Sequence, residues 1–133
     1  MKLLEVLGKI HSQRFGTRTD IILIGITEKD ISSSNMNFLY AQTKGTYGVS
    51  IISFARFQNE FYGLPPNEAA LVRRISLQLK TSVSRIYEVW GCQSRECITA
   101  TVMSMDDLDK KTGDFCEQCQ KLFEERVMKK LRK

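Results

Sequence analysis

Apolar residues at Leu3, Leu4, Leu7, Ile10 and Phe15 are interrupted by Glu5, Lys9, His11 and Arg14, a helical spacing that predicts a short amphipathic helix ending near Gly16. The pattern then changes to continuous apolar runs. DIILIGI at 20–26 is β-branched and uninterrupted, as expected of a strand covered on both faces. NFLYAQ at 37–42 and GVSIISFA at 48–55 predict two more strands, joined by TKGTYG, whose glycines suit a hairpin. The longest helix is expected within LPPNEAALVRRISLQLKTSVSRIYEVWG at 64–91, with Asn67 capping its first turn. Its apolar stripe, Val72, Ile75, Leu79, Val83, Ile86 and Trp90, should face the core. Arg74, Gln78, Thr81, Arg85 and Glu88 form a polar strip on the other side, leading to Cys92. Such a strip is ordinarily a solvated face.

The 133 residues, 42% hydrophobic and 26% charged, are enough for one domain with a core of its own, spanning 1–133. No apolar run reaches the length of a membrane span, and the charged first helix is unlike a signal peptide, so a cytoplasmic protein with no membrane role is expected. The net charge of +5 is concentrated in RVMKKLRK at 126–133. At the end of a helix these charges complement the dipole and stay solvated, which makes nucleic acid an unlikely partner.

Four cysteines then add chemistry. Cys92, Cys97, Cys116 and Cys119 follow the pattern C-x4-C-x18-C-x2-C, two short pairs that can close a tetrahedron of thiolates around a zinc ion. With four protein ligands such a site would be a structural staple with no open position for chemistry. A set of buried free thiols, or a redox pair at Cys116 and Cys119, are the alternatives. DDLDKKTGDF, a polar loop or short helix before Cys116, is unlike the strand that precedes redox motifs of that kind.

The succession DIILIGITEKDI, NMNFLYAQ, GVSIISFARFQNEFYG and a long helix running into C-x4-C and a later C-x2-C resembles the archaemetzincin family of zinc-dependent peptidases over residues 20–123. In that family the long helix carries HExxHxxGxxH, followed directly by C-x4-C-x-M and then CxxC. The histidines hold a catalytic zinc and the cysteines a structural one. The cysteine half is present here, its second interval one residue shorter than the family's. The catalytic half is absent. Registered on Cys92, the three histidine positions fall on Thr81, Arg85 and Gly91, the general-base glutamate on Ser82, the helix-turning glycine on Glu88 and the methionine of the turn on Thr99, with Met103 and Met105 nearby. The only histidine is His11.

The resemblance implies an α/β fold like a reduced zincin: a small mixed sheet, a long helix packed on it, and a C-terminal helical segment stapled by a four-cysteine zinc site. One structural zinc and no catalytic zinc are expected, hence a non-catalytic relative of a metallopeptidase that binds a peptide or protein. Arg85, which cannot lose its charge, opposes a metal ion and favours an anion, and with Arg74 and Gln78 it could floor an anion- or peptide-binding cleft. Pairing of Arg85 with Glu88 on a wet face is the plainer alternative. With a non-glycine residue at 88, the helix is expected to run on through Trp90. The chain also starts after the family's first strand, so an exposed sheet edge inviting a homodimer or partner strand is anticipated. Two other functions stay open: an active hydrolase with a second metal on Asp106, Asp107 and Asp109, and a zinc-ribbon-like nucleic-acid binder using RVMKKLRK.

Overall fold

The first helix, α1 (Lys2–Phe15), ends where the pattern predicted, with Gly16 in the left-handed region at φ 61°. The computed structural model describes residues 2–18 and 20–131, so Arg132 and Lys133 of the basic run lie outside the described residues. Five strands follow: β1 (Leu23–Thr27), β2 (Ile31–Ser33), β3 (Met36–Leu39), β4 (Ala41–Lys44) and β5 (Val49–Ser53). β5 is central, parallel to β1 and antiparallel to β4. The sheet is therefore mixed, as expected.

Two strand expectations need correction. NFLYAQ is not one strand but parts of two: β3 turns away to pair with β2 in a separate antiparallel ribbon, and β4 joins the sheet after Tyr40. The sequence of β2, ISS, has no alternation that would mark it out. β1, in turn, is an edge strand rather than one covered on both faces, and Ile26 is 49% exposed.

Every residue of β5 is buried, and its side chains alternate between two cores. Val49 and Ile51 pack with Leu4 and Ile31 under α1. Ile52 points the other way, into a cluster with Phe57, Leu77, Ile98 and Leu108. That second cluster is covered by α2 (Glu68–Ile86), whose first turn is capped by the Asn67 side chain accepting from the Ala70 N–H at 3.0 Å. Helix α2 lies between the sheet and the C-terminal segment. It buries Leu77, Gln78 and Ser82 as well as Ile86, while Val72 is 57% exposed. The predicted stripe is thus rotated from the real one, because the helix buries more than one face.

After α2 come α3 (Met105–Asp109), capped by Ser104, and α4 (Glu117–Leu131). Phe123 of α4 stacks on Phe115, with ring centroids 4.9 Å apart, and meets Tyr87 edge-on at 5.6 Å. Lys130 is not a freely solvated charge: its ammonium donates to the carbonyls of Gly45 and Ile86, so it braces the end of α2 and the β4–β5 turn. No described helix is long and apolar enough to cross a membrane.

Candidate functional site

Helix α2 stops at Ile86 and does not continue through Trp90, contrary to expectation. The reason lies at Glu88, the one non-glycine among the described residues with a positive φ, at 64°. Its N–H donates to the Arg85 carbonyl and the Val89 N–H reaches back to Ser84 O, both at 2.9 Å. This pair of bonds is a common helix terminator that normally uses glycine at the left-handed position. Glu88 thus adopts the glycine-type turn despite its side chain, at a cost of about 1 kcal/mol. With Val89 buried after it, packing holds the turn in place.

Beyond the turn the four cysteines converge. Gly91, at φ 77°, donates to Thr99 O at 2.8 Å, and Cys92 forms a bridge with Ala100 that sets the two halves of the loop side by side. The sulfurs of Cys92, Cys97, Cys116 and Cys119 all lie within 4.8 Å of one another, and Cys92 and Cys116 are 3.8 Å apart. Zinc bonded to sulfur at about 2.3 Å in a tetrahedron requires sulfurs about 3.8 Å apart, so the thiols fit the ion. Among the described residues this is the one group of three or more such ligands that comes together.

The surroundings favour thiolate unevenly. Burial pushes the Cys97 thiol up, but hydrogen bonds from the Thr99 hydroxyl and the Cys116 N–H outweigh it and hold the pKa down at about 7. Burial raises the Cys119 thiol to about 12, reinforced by the thiols beside it. The Thr99 oxygen is 3.3 Å from Cys97 Sγ and 3.4 Å from Cys119 Sγ, placing one hydroxyl against two of the thiols.

The polar strip on α2 has a different fate, since most of it is neither solvated nor convergent. Arg74 pairs in bidentate fashion with Asp109 at 2.9 Å and donates to Phe57 O and the Asn59 side chain. Gln78 is buried and donates to Ser82, itself buried. Neither joins Arg85 in a cationic floor. The Thr81 hydroxyl lies 2.9 Å from Leu77 O and 3.0 Å from Ile98 O, and it accepts a hydrogen bond from Lys111. Glu88 pairs with Arg126 of α4 and not with Arg85. That leaves Arg85 exposed, its guanidinium 4.9 Å over the ring of Trp90, which is 62% exposed.

The remaining candidate ligands are committed elsewhere. His11, buried on α1 across the sheet from α2, donates from Nε2 to Ile21 O at 2.8 Å. Asp107 accepts from the Met103 N–H, Asp106 pairs with Lys110, and Asp109 holds Arg74. Met103 is 72% exposed, whereas Met105 packs against the core. One buried residue escaped the sequence entirely: Lys111, 1% exposed, donates to Ile98 O at 2.7 Å. In KKTG it looks like any surface lysine.

A family model described as Peptidase family M54 matches residues 1–129. An archaemetzincin from Methanocaldococcus jannaschii is 35% identical over 79% of this chain and 59% of its own, and one from Pyrococcus furiosus is 29% identical over 80% and 56%. The chain thus spans under two thirds of the length of these relatives. Among solved structures, a zinc-dependent peptidase from Methanocorpusculum labreanum superposes with a TM-score of 0.80 at 23% identity, over 90% of this chain and 69% of that one. The archaemetzincin of Methanopyrus kandleri gives 0.71 at 21% identity, over 80% and 56%. Both likenesses concern the fold, which is zincin-like.

Proposed function

The chain belongs to peptidase family M54, the archaemetzincins, and from that premise we propose that it is a member without peptidase activity, built around one structural zinc and binding a peptide or protein. The observation that carries this reading is what occupies the register of HExxHxxGxxH. Thr81, Ser82, Arg85 and Gly91 stand at the ligand and base positions, and none offers an imidazole or a carboxylate. A hydrolytic zinc needs about three protein ligands, an activated water and a proton acceptor. The lone histidine, His11, is committed to the Ile21 carbonyl. Gly91 adds a backbone argument, because its φ of 77° strains any side chain placed there. Cys92, Cys97, Cys116 and Cys119 would hold the structural ion, which would supply folding energy and no chemistry.

Two features suit a peptide. Among the described residues β4 pairs only with β5, so its outer edge can accept an added strand. Arg85, with no ion pair among the described residues and propped on Trp90, suits a carboxylate on that peptide. The open edge of β1 offers a second copy a place to pair. Four cysteines spaced for zinc suit a reducing, cytoplasmic setting, and the engagement of Arg126 and Lys130 within the fold argues against a nucleic-acid tail.

The experiment combines metal analysis with activity and binding. One zinc per chain, no hydrolysis of peptides with any divalent metal, and quenching of Trp90, the only tryptophan, by an acidic peptide are the expected results. Hydrolysis that survives repurification and scales with protein would overturn the reading, and a second metal equivalent would point to the active-hydrolase alternative.

A further inference from the structure

Burying a lysine ammonium is expensive unless an opposing charge lies close by. Lys111 is 1% exposed, and among the described residues it makes no ion pair with a carboxylate. Its two hydrogen-bond acceptors, Ile98 O at 2.7 Å and Thr81 Oγ1 at 3.2 Å, are neutral. Yet the acceptor carbonyl belongs to the residue directly after Cys97, and the loop bearing Lys111 runs alongside the metal loop. Thr112 N donates to Glu96 O at 3.0 Å and Ile98 N to Asp114 O at 2.9 Å. Arg73 pins the Lys111 carbonyl at 2.6 Å, which fixes the backbone from which the ammonium projects.

The four-thiol site has the complementary difficulty. Zinc held by four thiolates carries a net double negative charge, and Cys97 is 2% exposed. We propose that Lys111 is the built-in counter-cation of the four-cysteine zinc centre, placed beside Cys97 through Ile98 O and at the same time tying that centre to α2 through Thr81. Each buried charge then lowers the cost of the other. Charge on Cys97 favours the ammonium form of Lys111, with Asp107 adding in the same direction. Burial outweighs both and holds the Lys111 pKa down at about 8. Lys111 is thus a positioning residue for the metal site and contributes no ligand. The inference concerns the structural centre only, and it stands whether or not the chain proves to hydrolyse peptides.

The test is Lys111→Met, which keeps length and removes charge. Zinc affinity, read by competition with a chromophoric chelator, should fall about 10- to 100-fold, the usual effect of losing an outer partner of a metal site. The metal-free protein should melt at the same temperature or higher, because an uncompensated buried charge has gone. These opposite signs separate the proposal from a packing role, in which both forms would lose stability together. Affinity within about twofold of the parent, or equal losses with and without zinc, would overturn it. Should Lys111→Met not fold, Lys111→Arg decides. Folding with zinc retained supports a need for charge, and failure of this variant as well shows that the lysine's shape is what matters.

Discussion

Gly91 divides two stretches of similar polarity that behave in opposite ways. On its C-terminal side, Cys92, Cys97, Cys116 and Cys119 gather their sulfurs within 4.8 Å from two separate pieces of chain. On its N-terminal side, Thr81, Ser82, Arg85 and Glu88 share one helix end yet converge on nothing. Thr81 turns to Ile98, Ser82 sits buried against Gln78, Arg85 lies on Trp90, and Glu88 reaches Arg126. The contrast teaches what holds a polar cluster together. A closed metal site contributes to folding directly, so its ligands have a structural reason to point inward. An open site has no such support, and without ligands to a shared ion each side chain takes its nearest local partner.

The strongest way to break this contrast is to remove the zinc proposed for the four cysteines. Cys92→Ser, or zinc extraction by a chelator, should cost several kcal/mol, and up to about 10, of the metal's contribution to folding, seen as loss of the cooperative thermal transition and of the zinc equivalent. A chain that kept its melting temperature without metal would show that the cysteine side is no more structural than the helix side.

The next test compares two arginines of the same strip. Arg74→Ala should destabilise by about 2–3 kcal/mol, because it strips partners from Asp109, Asn59 and the Phe57 carbonyl, whereas Arg85→Ala should cost no more than about 1 kcal/mol. Chemical denaturation of the two variants reads both. If Arg85→Ala proved the costlier change, the helix end would be structural after all. Arg85→Ala should instead abolish quenching of Trp90 by an acidic peptide.

The smallest effect belongs to Glu88→Gly, which relieves the left-handed strain and gives up an exposed ion pair with Arg126. The net gain should be roughly 0.5 kcal/mol, measurable as a slightly higher denaturation midpoint. A clear loss of stability would mean that the Glu88 to Arg126 pair, not the buried Val89, holds the turn.

How much of this could be read in the chain depended on what each residue answers to. The cysteine spacing and the Asn67 cap are local chemistry, and they appear in the structure where they were expected. Glu88 was misjudged because propensity favours continuing the helix, while burial of Val89 favours ending it. Gln78 reads as solvated and Lys111 draws no notice for a related reason, since a polar residue looks solvated until a second layer covers it. In both cases that layer comes from chain distant in sequence, so no local pattern announces it. β2 was lost for want of pattern: three residues, two of them serine, carry no periodicity.

The position of β5 in the sheet also fixes an order of events. Its neighbour β4 is reached through a four-residue connection at 45–48, whereas its other neighbour, β1, comes from far back in the chain and must be captured across a long closed loop. β1 and β4 are both edge strands, but β1 also carries the exposed Ile26. Its backbone amides between Leu23 and Thr27 should therefore exchange with deuterium before those of the β4–β5 hairpin, which makes β1 the strand at which the native sheet first comes undone.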